Sequence, residues 1–307
     1  MKDLLLLFGV TLAKRHTKRQ KNIFYSQAIP YFKKLGYSIE IQESTGKVNQ
    51  TSNLIIGEKK KANKIVFCPY DTPTKSILPF KYYPFNLESN LRQEHNNLFL
   101  SFLIYATIGG LLFFFFNYFS IFNPSLNAIG TILLALLLFF SFVIIGGIPN
   151  PVNFNKNSAS VALIASLAQE QVHIKDTCFI LLDKNTINSS GLKVLARDNN
   201  LQNKILVYLD CLAFGEKLAF VHKEESSLEA KKLIECLPNM EILEKVIGDD
   251  RGKDTNLQFF PKMIHICVGT IEKEQFLVRN TRSKNDYQVD MPRLEKIRDG
   301  MLMFLKG

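Results

Sequence analysis

Three groups of reactive side chains sit at the ends of apolar, β-rich runs: Cys68-Pro69-Tyr70-Asp71-Thr72, Asp183-Lys184-Asn185-Thr186 and Asp210-Cys211. The carboxylates of Asp71 and Asp210 are of the type that ligates a cation or moves a proton. An acid at a strand end is as readily a capping or ion-paired residue, so chemistry at this pair stays one reading of two. Cys68 and Cys211 could supply a thiolate, but no histidine is evidently placed to activate either, and they read as buried, inert thiols. His16, His95, His173, His222 and His265 are scattered without ligand spacing. The 5 cysteines never form a C-x-x-C pair, which argues against a structural zinc site or a disulfide framework and for reduced thiols.

What must position these groups is an alternation of strands and helices. NIFYSQAIPYFKKLGYSIEI reads as a helix stopped at Gly36 and followed by a strand. NLIIG and KIVFC read as a β-hairpin about the charged turn EKKKAN, whose Lys59, Lys60 and Lys61 should be solvated. SASVALIASLAQEQ, SSGLKVLARDN, SSLEAKKLIECL and MPRLEKIRDGMLMFLKG read as helices, and DTCFILLD, NKILVYLD and MIHICVG as the strands between them. Such alternation predicts a three-layer α/β/α domain around a mixed, mostly parallel sheet. In that class ligands gather at the carboxyl ends of strands, where the three groups lie. Gly191 reads as a close helix approach.

Two long apolar stretches interrupt the alternation, LFLSFLIYATIGGLLFFFF and IGTILLALLLFFSFVIIGGI, neither carrying a charged side chain. About twenty residues at a rise of about 1.5 Å match a hydrocarbon core of about 30 Å. The expected division is therefore 1–97, the first part of the α/β domain; 98–148, a transmembrane hairpin with helices over 98–116 and 129–148; and 149–307, the second part. Gly109-Gly110 and Gly146-Gly147 suit close packing of such helices, within the hairpin or with a partner. The connecting loop has no Lys or Arg, whereas Lys75, Lys81, Arg92 and Lys156 flank the hairpin, which places the α/β domain on the cytoplasmic side of a multi-pass cell-membrane protein. LLLLFGVTLA near the N-terminus is too short to span and reads as a buried or membrane-surface helix; the basic cluster after it, Lys14 to Lys21, reads as a solvated helix face or a contact with anionic lipid. A net charge of +10 suits nucleic acid or an anionic bilayer, and the dispersed cations with no nucleic-acid motif leave the bilayer.

The order of these pieces resembles the co-catalytic zinc aminopeptidases of metallopeptidase family 28. NLIIGEKKKANKIVFCPYDTP is similar to the family's stretch ending in Ala-His-Tyr-Asp-Ser/Thr, and KNSASVALIASLAQ to its Asp-Asn-Ala-Ser-Gly helix start. FILLDKNTINSSGLKVLA resembles its strand, Glu-Glu pair and Gly-Ser helix, KILVYLDCLAFG the strand with a metal-binding Asp, and NTRSKNDYQVD the His-Thr-Pro-x-Asp ending. The resemblance implies the fold of the zinc exopeptidases. It also places Pro69 at the first His ligand, Lys156 at the bridging Asp, Asn185 at the general-base Glu, Thr186 at the next Glu ligand and Asn280 at the last His ligand. Asp210 matches the remaining ligand, and Asp71 the residue that orients the first His.

The sequence therefore predicts a degenerate, zinc-free member with no catalytic set. Lys156 would replace the lost metal charge by pairing with Asp210 or Asp71, and Asp71, Lys156 and Asp210 would mark a binding pocket. The expected role is that of a membrane-anchored pseudopeptidase binding a peptide or a membrane-protein partner such as a transporter or processing component. The alternative is an active membrane-bound peptidase with an atypical site.

Overall fold

The computed structural model describes residues 1–44, 50–120, 125–170, 176–186, 188–248 and 254–307. The alternating apolar residues of the central strands point to two different cores. Val66, Phe179, Leu181, Val207 and Leu209 face one, and Ile65, Phe67, Ile180, Leu206 and Tyr208 the other. A sheet apolar on both faces must be covered on both.

Ten strands of the described residues form one mixed sheet. Its centre is parallel: β5 (Thr177–Leu182), β3 (Lys64–Pro69), β6 (Ile205–Asp210) and β9 (Met263–Glu272) lie side by side in that order. Antiparallel strands extend the margins. β1 (Ile39–Glu43) and β2 (Ser52–Ile56) add beside β5, while β10 (Gln275–Arg279) and β4 (Lys81–Tyr82) follow β9. β7 (Lys217–His222) pairs antiparallel with β9 and parallel with β8 (Ile242–Val246). The hairpin expected between NLIIG and KIVFC is corrected here: β5 lies between β2 and β3. Leu54, Ile55 and Ile56 of one run and Ile65, Val66 and Phe67 of the other are all buried, so each strand needs a partner on either side, and a two-strand hairpin would leave edges bare.

One face is covered by α1 (Lys2–Leu6), α2 (Lys18–Lys34), α5 (Ala159–Glu170), α7 (Ser227–Glu235) and α8 (Met291–Lys306), and the other chiefly by α6 (Ser190–Leu195). α5 is the central helix, buried from Ala159 to Ala168, and its Ala and Ser side chains let it lie close to the sheet. The N-terminal apolar run is buried against it through Leu4, Leu5, Phe8 and Leu12. α6 approaches β5 so closely that a Cβ on Gly191 would lie 2.5 Å from the Asp183 carbonyl oxygen.

Two readings of cationic residues are corrected. Arg15 and Lys21, expected on a solvated or lipid-facing surface, are buried. Arg15 donates to the carbonyls of Phe8, Leu12 and Tyr70 and to the Asn153 and Ser158 side chains, and Lys21 pairs with Asp183. Five acceptors converge on Arg15 to replace its water, and the Asp183 carboxylate compensates the Lys21 charge. Lys59, expected to be solvated, is largely covered and bonds Asp198 at 2.9 Å.

α3 (Leu87–Ser120) leaves the domain as one unbroken helix and packs against α4 (Ser125–Ile145). It starts ahead of the expected boundary at 97/98. Its polar first turns dock on the domain: Asn90 exchanges bonds with Tyr83, Arg282 pairs with Glu94, and Asn97 accepts from Ser76 and Leu78. Among the described residues one helix, Leu87–Phe119, is long and apolar enough to cross a membrane, and none of its most apolar window is buried in the protein. The apolar part of α4, Ser125–Ser141, is shorter. The expected second span, 129–148, includes the side chains of 142–145, which lie outside the described set, as do 121–124 of the connecting loop.

Candidate functional site

β6 lies in the middle of the sheet and delivers Asp210 at its carboxyl end, fully buried. A single π-helical turn, Phe154–Ser158, leads into α5 and turns Lys156 toward it. The Lys156 ammonium lies 2.8 Å from Asp210 Oδ1, with side-chain exposures of 2% and 0%. Tyr82, carried by the marginal strand β4, donates its hydroxyl to Asp210 Oδ2 at 2.5 Å. Its ring also lies 3.4 Å from the Lys156 ammonium, closing the pair off. Burial pushes the Asp210 carboxyl up, but Lys156, His265 and the hydrogen bonds from Lys156 and Tyr82 outweigh it and hold it below its ordinary value. Burial likewise works against the Lys156 charge, and Asp210 more than compensates, leaving the ammonium above its ordinary value.

Asp71 has other partners. Its carboxylate accepts from the backbone N–H of Asn185 at 3.0 Å and of Thr186 at 3.3 Å, tying the loop after β5 to the end of β3. Asn185 spends its amide internally, donating to the Tyr208 hydroxyl and accepting from the Leu192 N–H. The Thr186 hydroxyl bonds the Asp71 carbonyl. Pro69 is the last residue of β3, in register with Leu182. Asn280 stands apart, in a left-handed turn after β10 with φ +65°, and lines a cavity of about 90 Å³ with Asn155, Phe214 and Asp286. The structure thus joins Lys156 to Asp210 and Asp71 to the Asn185–Thr186 backbone, and leaves Asn280 outside both groups.

Three residues escaped the sequence reading. His265, on β9 opposite Tyr208, lies 3.9 Å from Asp210 Oδ2 and between the Phe85 and Tyr208 rings. Neither ring nitrogen has a hydrogen-bond partner among the described residues. Burial pushes this imidazole down to about 4, so it is neutral at pH 7. Tyr82 is the second. Asp286, the third, is buried and accepts from the N–H groups of Asn155 and Lys156, and burial pushes its carboxyl well up. His265 could have been flagged by its place on a strand beside β6; no sequence signal marks Tyr82 or Asp286.

The thiols of Cys68 and Cys211 are buried, and burial pushes both well up, against a thiolate. His222 bonds Glu244 and the Lys223 carbonyl, and His16 contacts the Gly146 carbonyl. His173 lies outside the described residues. Among the described residues no group of three or more His, Cys, Asp or Glu side chains is arranged to hold a metal ion. A zinc pair needs His and carboxylate donors free to point inward. The residues present do not fit that need: Pro69 has no donor, the Asn185 amide is committed, and an ammonium is bonded to Asp210.

No protein-family profile matches the sequence, and no curated protein matches it. Solved structures do. A glutaminyl cyclase from Porphyromonas gingivalis superposes with a TM-score of 0.56 at 11% identity, over 99% of this chain and 94% of that one. The LapA aminopeptidase of Legionella pneumophila gives 0.58 at 10% identity, over 99% and 71%. A Zn-dependent exopeptidase from Parabacteroides distasonis gives 0.56 at 12% identity, over 99% and 94%. The chain shares its α/β fold with these proteins.

Proposed function

We propose that this chain is a membrane-anchored, aminopeptidase-like protein without zinc or hydrolytic chemistry, which acts by binding a peptide or a membrane-protein partner such as a transporter or processing component. The observation that carries the reading is the Lys156 ammonium, 2.8 Å from Asp210 and buried with it. By the family resemblance Asp210 is a metal ligand, and a cation held on a ligand oxygen repels a divalent metal by several kcal/mol at about 3–4 Å, even at an effective dielectric of about 20. The same resemblance puts Pro69, Asn185, Thr186 and Asn280 where ligands or the general base would be, and none is a carboxylate or imidazole. Tyr82 lies over the buried pair, so a partner would meet the surfaces flanking the pair and not the pair itself.

Anchoring rests on the apolar, outward-facing α3 and α4, with Phe99, Phe102, Leu111 and Phe114 each more than 60% exposed. A hairpin over 98–148 would return the chain to its starting side, leaving both parts of the α/β domain in the cytoplasm and the bilayer as its first partner. Metal analysis of detergent-purified protein tests the central claim. Zinc well below stoichiometry and no peptide hydrolysis are expected. Near-stoichiometric zinc, with hydrolysis abolished by Asp210→Ala, would establish the active-peptidase alternative instead. For topology, a cysteine at Ser125 should label from outside intact cells; labelling only after lysis reverses the orientation.

A further inference from the structure

Beside the carboxyl end of β5 lies a cavity of about 200 Å³ whose lining includes His16, Asp71, Thr72, Thr74, Lys184 and Thr186. Its wall is also the base of the apolar helices. His16 Nε2 lies 3.1 Å from the Gly146 carbonyl oxygen, and the Lys75 N–H donates to the Ile148 carbonyl at 2.8 Å. Gly147 comes so near Thr74 that a Cβ there would lie 2.2 Å from the threonine methyl. Residues 146–148 end the second apolar run. A bilayer's headgroup layer extends roughly 5–8 Å beyond the hydrocarbon on each side. On the membrane-anchored reading above, on which this inference rests, the cavity is at headgroup level.

Its charges are of both signs and separate. Lys21 is already paired with Asp183. Lys184 makes no ion pair among the described residues and is held with φ +47°, a backbone conformation that a non-glycine residue seldom keeps without cause. The Asp71 carboxylate receives two backbone N–H groups, which leaves acceptor capacity on both oxygens. A free ammonium and a carboxylate in one small space complement a zwitterion that carries an amine and an anion. The volume is below the roughly 300–1,000 Å³ of drug-sized sites, so it suits a compact group better than a peptide.

We infer that this cavity holds the phosphoethanolamine headgroup of a membrane phospholipid, its ammonium on Asp71 and its phosphate on Lys184, with the acyl chains running beside α4. Charge-assisted hydrogen bonds supply the affinity, and the amine's N–H groups supply the preference for ethanolamine over choline.

The test uses the full-length protein, stripped of lipid by detergent exchange. Phosphatidylethanolamine, phosphatidylcholine, inorganic phosphate and a free dipeptide are added back in turn, with native mass spectrometry and thermal unfolding as readouts. One retained phosphatidylethanolamine and a raised midpoint are expected, weakened by about tenfold or more in Lys184→Gly. Glycine accepts the positive φ, so that variant loses the ammonium without disturbing the turn. Asp71→Asn should abolish the preference over phosphatidylcholine. Equal binding of phosphatidylcholine by the unaltered protein, an equal response to inorganic phosphate or to the dipeptide, or unchanged affinity in Lys184→Gly would each overturn the assignment. Alkaline extraction of native membranes separates the two readings: release of the protein refutes the anchoring itself, whereas retention without ethanolamine preference refutes the headgroup site alone.

Discussion

Replacing Lys156 by Met keeps most of the side chain's volume and removes the charge that compensates Asp210. At the observed 2.8 Å, the attraction is about 6 kcal/mol at an effective dielectric of about 20. The ammonium's own desolvation offsets part of this, and the net cost of orphaning one member of a buried pair is about 3–5 kcal/mol. For a domain of this size that corresponds to a fall of roughly 6–20 °C in the thermal midpoint. The pH dependence is the sharper test. In the unaltered protein Asp210 is held below its ordinary value, so its stabilisation is present above the ordinary carboxylate range and is lost as pH falls through the lowered folded value. Lys156 is held above its ordinary value, so its contribution is present below the ordinary lysine range and is lost as pH rises through the raised folded value. Between pH 5 and 9, then, the pair adds no slope. In Lys156→Met only the Tyr82 hydrogen bond and His265 are left to oppose burial, so Asp210 should be raised and stability should fall as pH rises through the same window, by up to about 1.4 kcal/mol per pH unit. Adding Asp210→Asn should restore most of the loss at pH 7 and flatten the slope, since Asn still accepts from Tyr82. Thermal unfolding in detergent across this pH range is the assay. A Lys156→Met midpoint within about 2 °C of the unaltered protein, with no new slope, would refute the buried-pair argument.

Other consequences follow from the same geometry. The Asp286 carboxyl is pushed well up by burial, so it costs stability as pH rises above the ordinary carboxylate range. Asp286→Asn should therefore be destabilising by about 1 kcal/mol at pH 4, where it gives up an acceptor, and neutral or stabilising at pH 8; denaturation midpoints at the two values check the crossing. Arg15→Met leaves the Phe8, Leu12 and Tyr70 carbonyls short of donors and should cost about 3–5 kcal/mol, with hydrogen exchange rising first over residues 2–16. Gly147→Ala adds a methyl against Thr74 at φ +85° and should cost about 2–4 kcal/mol by thermal unfolding; the further change Thr74→Ser removes the obstructing methyl and should recover part of it.

Much of this protein was determined by local pattern. Apolar alternation on both faces of KIVFC, FILLD and KILVYLD, with amphipathic helices between, requires a covered parallel centre, because strands buried on both sides leave no alternative. The uncharged length of α3 and the placing of Asp71 and Asp210 at strand ends were legible for the same reason: each is a property of residues close together in the chain.

Partner choice is a different quantity, set by how distant segments are brought together. Asp210 takes Lys156 rather than Asp71's neighbourhood because the turn before α5 aims the ammonium at β6, while the Asn185 and Thr186 backbone reaches Asp71 first. Arg15 and Lys21 look like surface cations in the chain, yet packing carries carbonyl and carboxylate oxygens from residues up to 162 positions away to meet them. Tyr82 and His265 approach Asp210 from strands 128 residues before it and 55 after it. No spacing rule relates such residues. The sequence supplied the acids at the ends of strands, and only the tertiary structure decided which cation, hydroxyl and imidazole would surround each one, because burial charges a penalty for every unmatched charge and the fold that survives is the one that matches them.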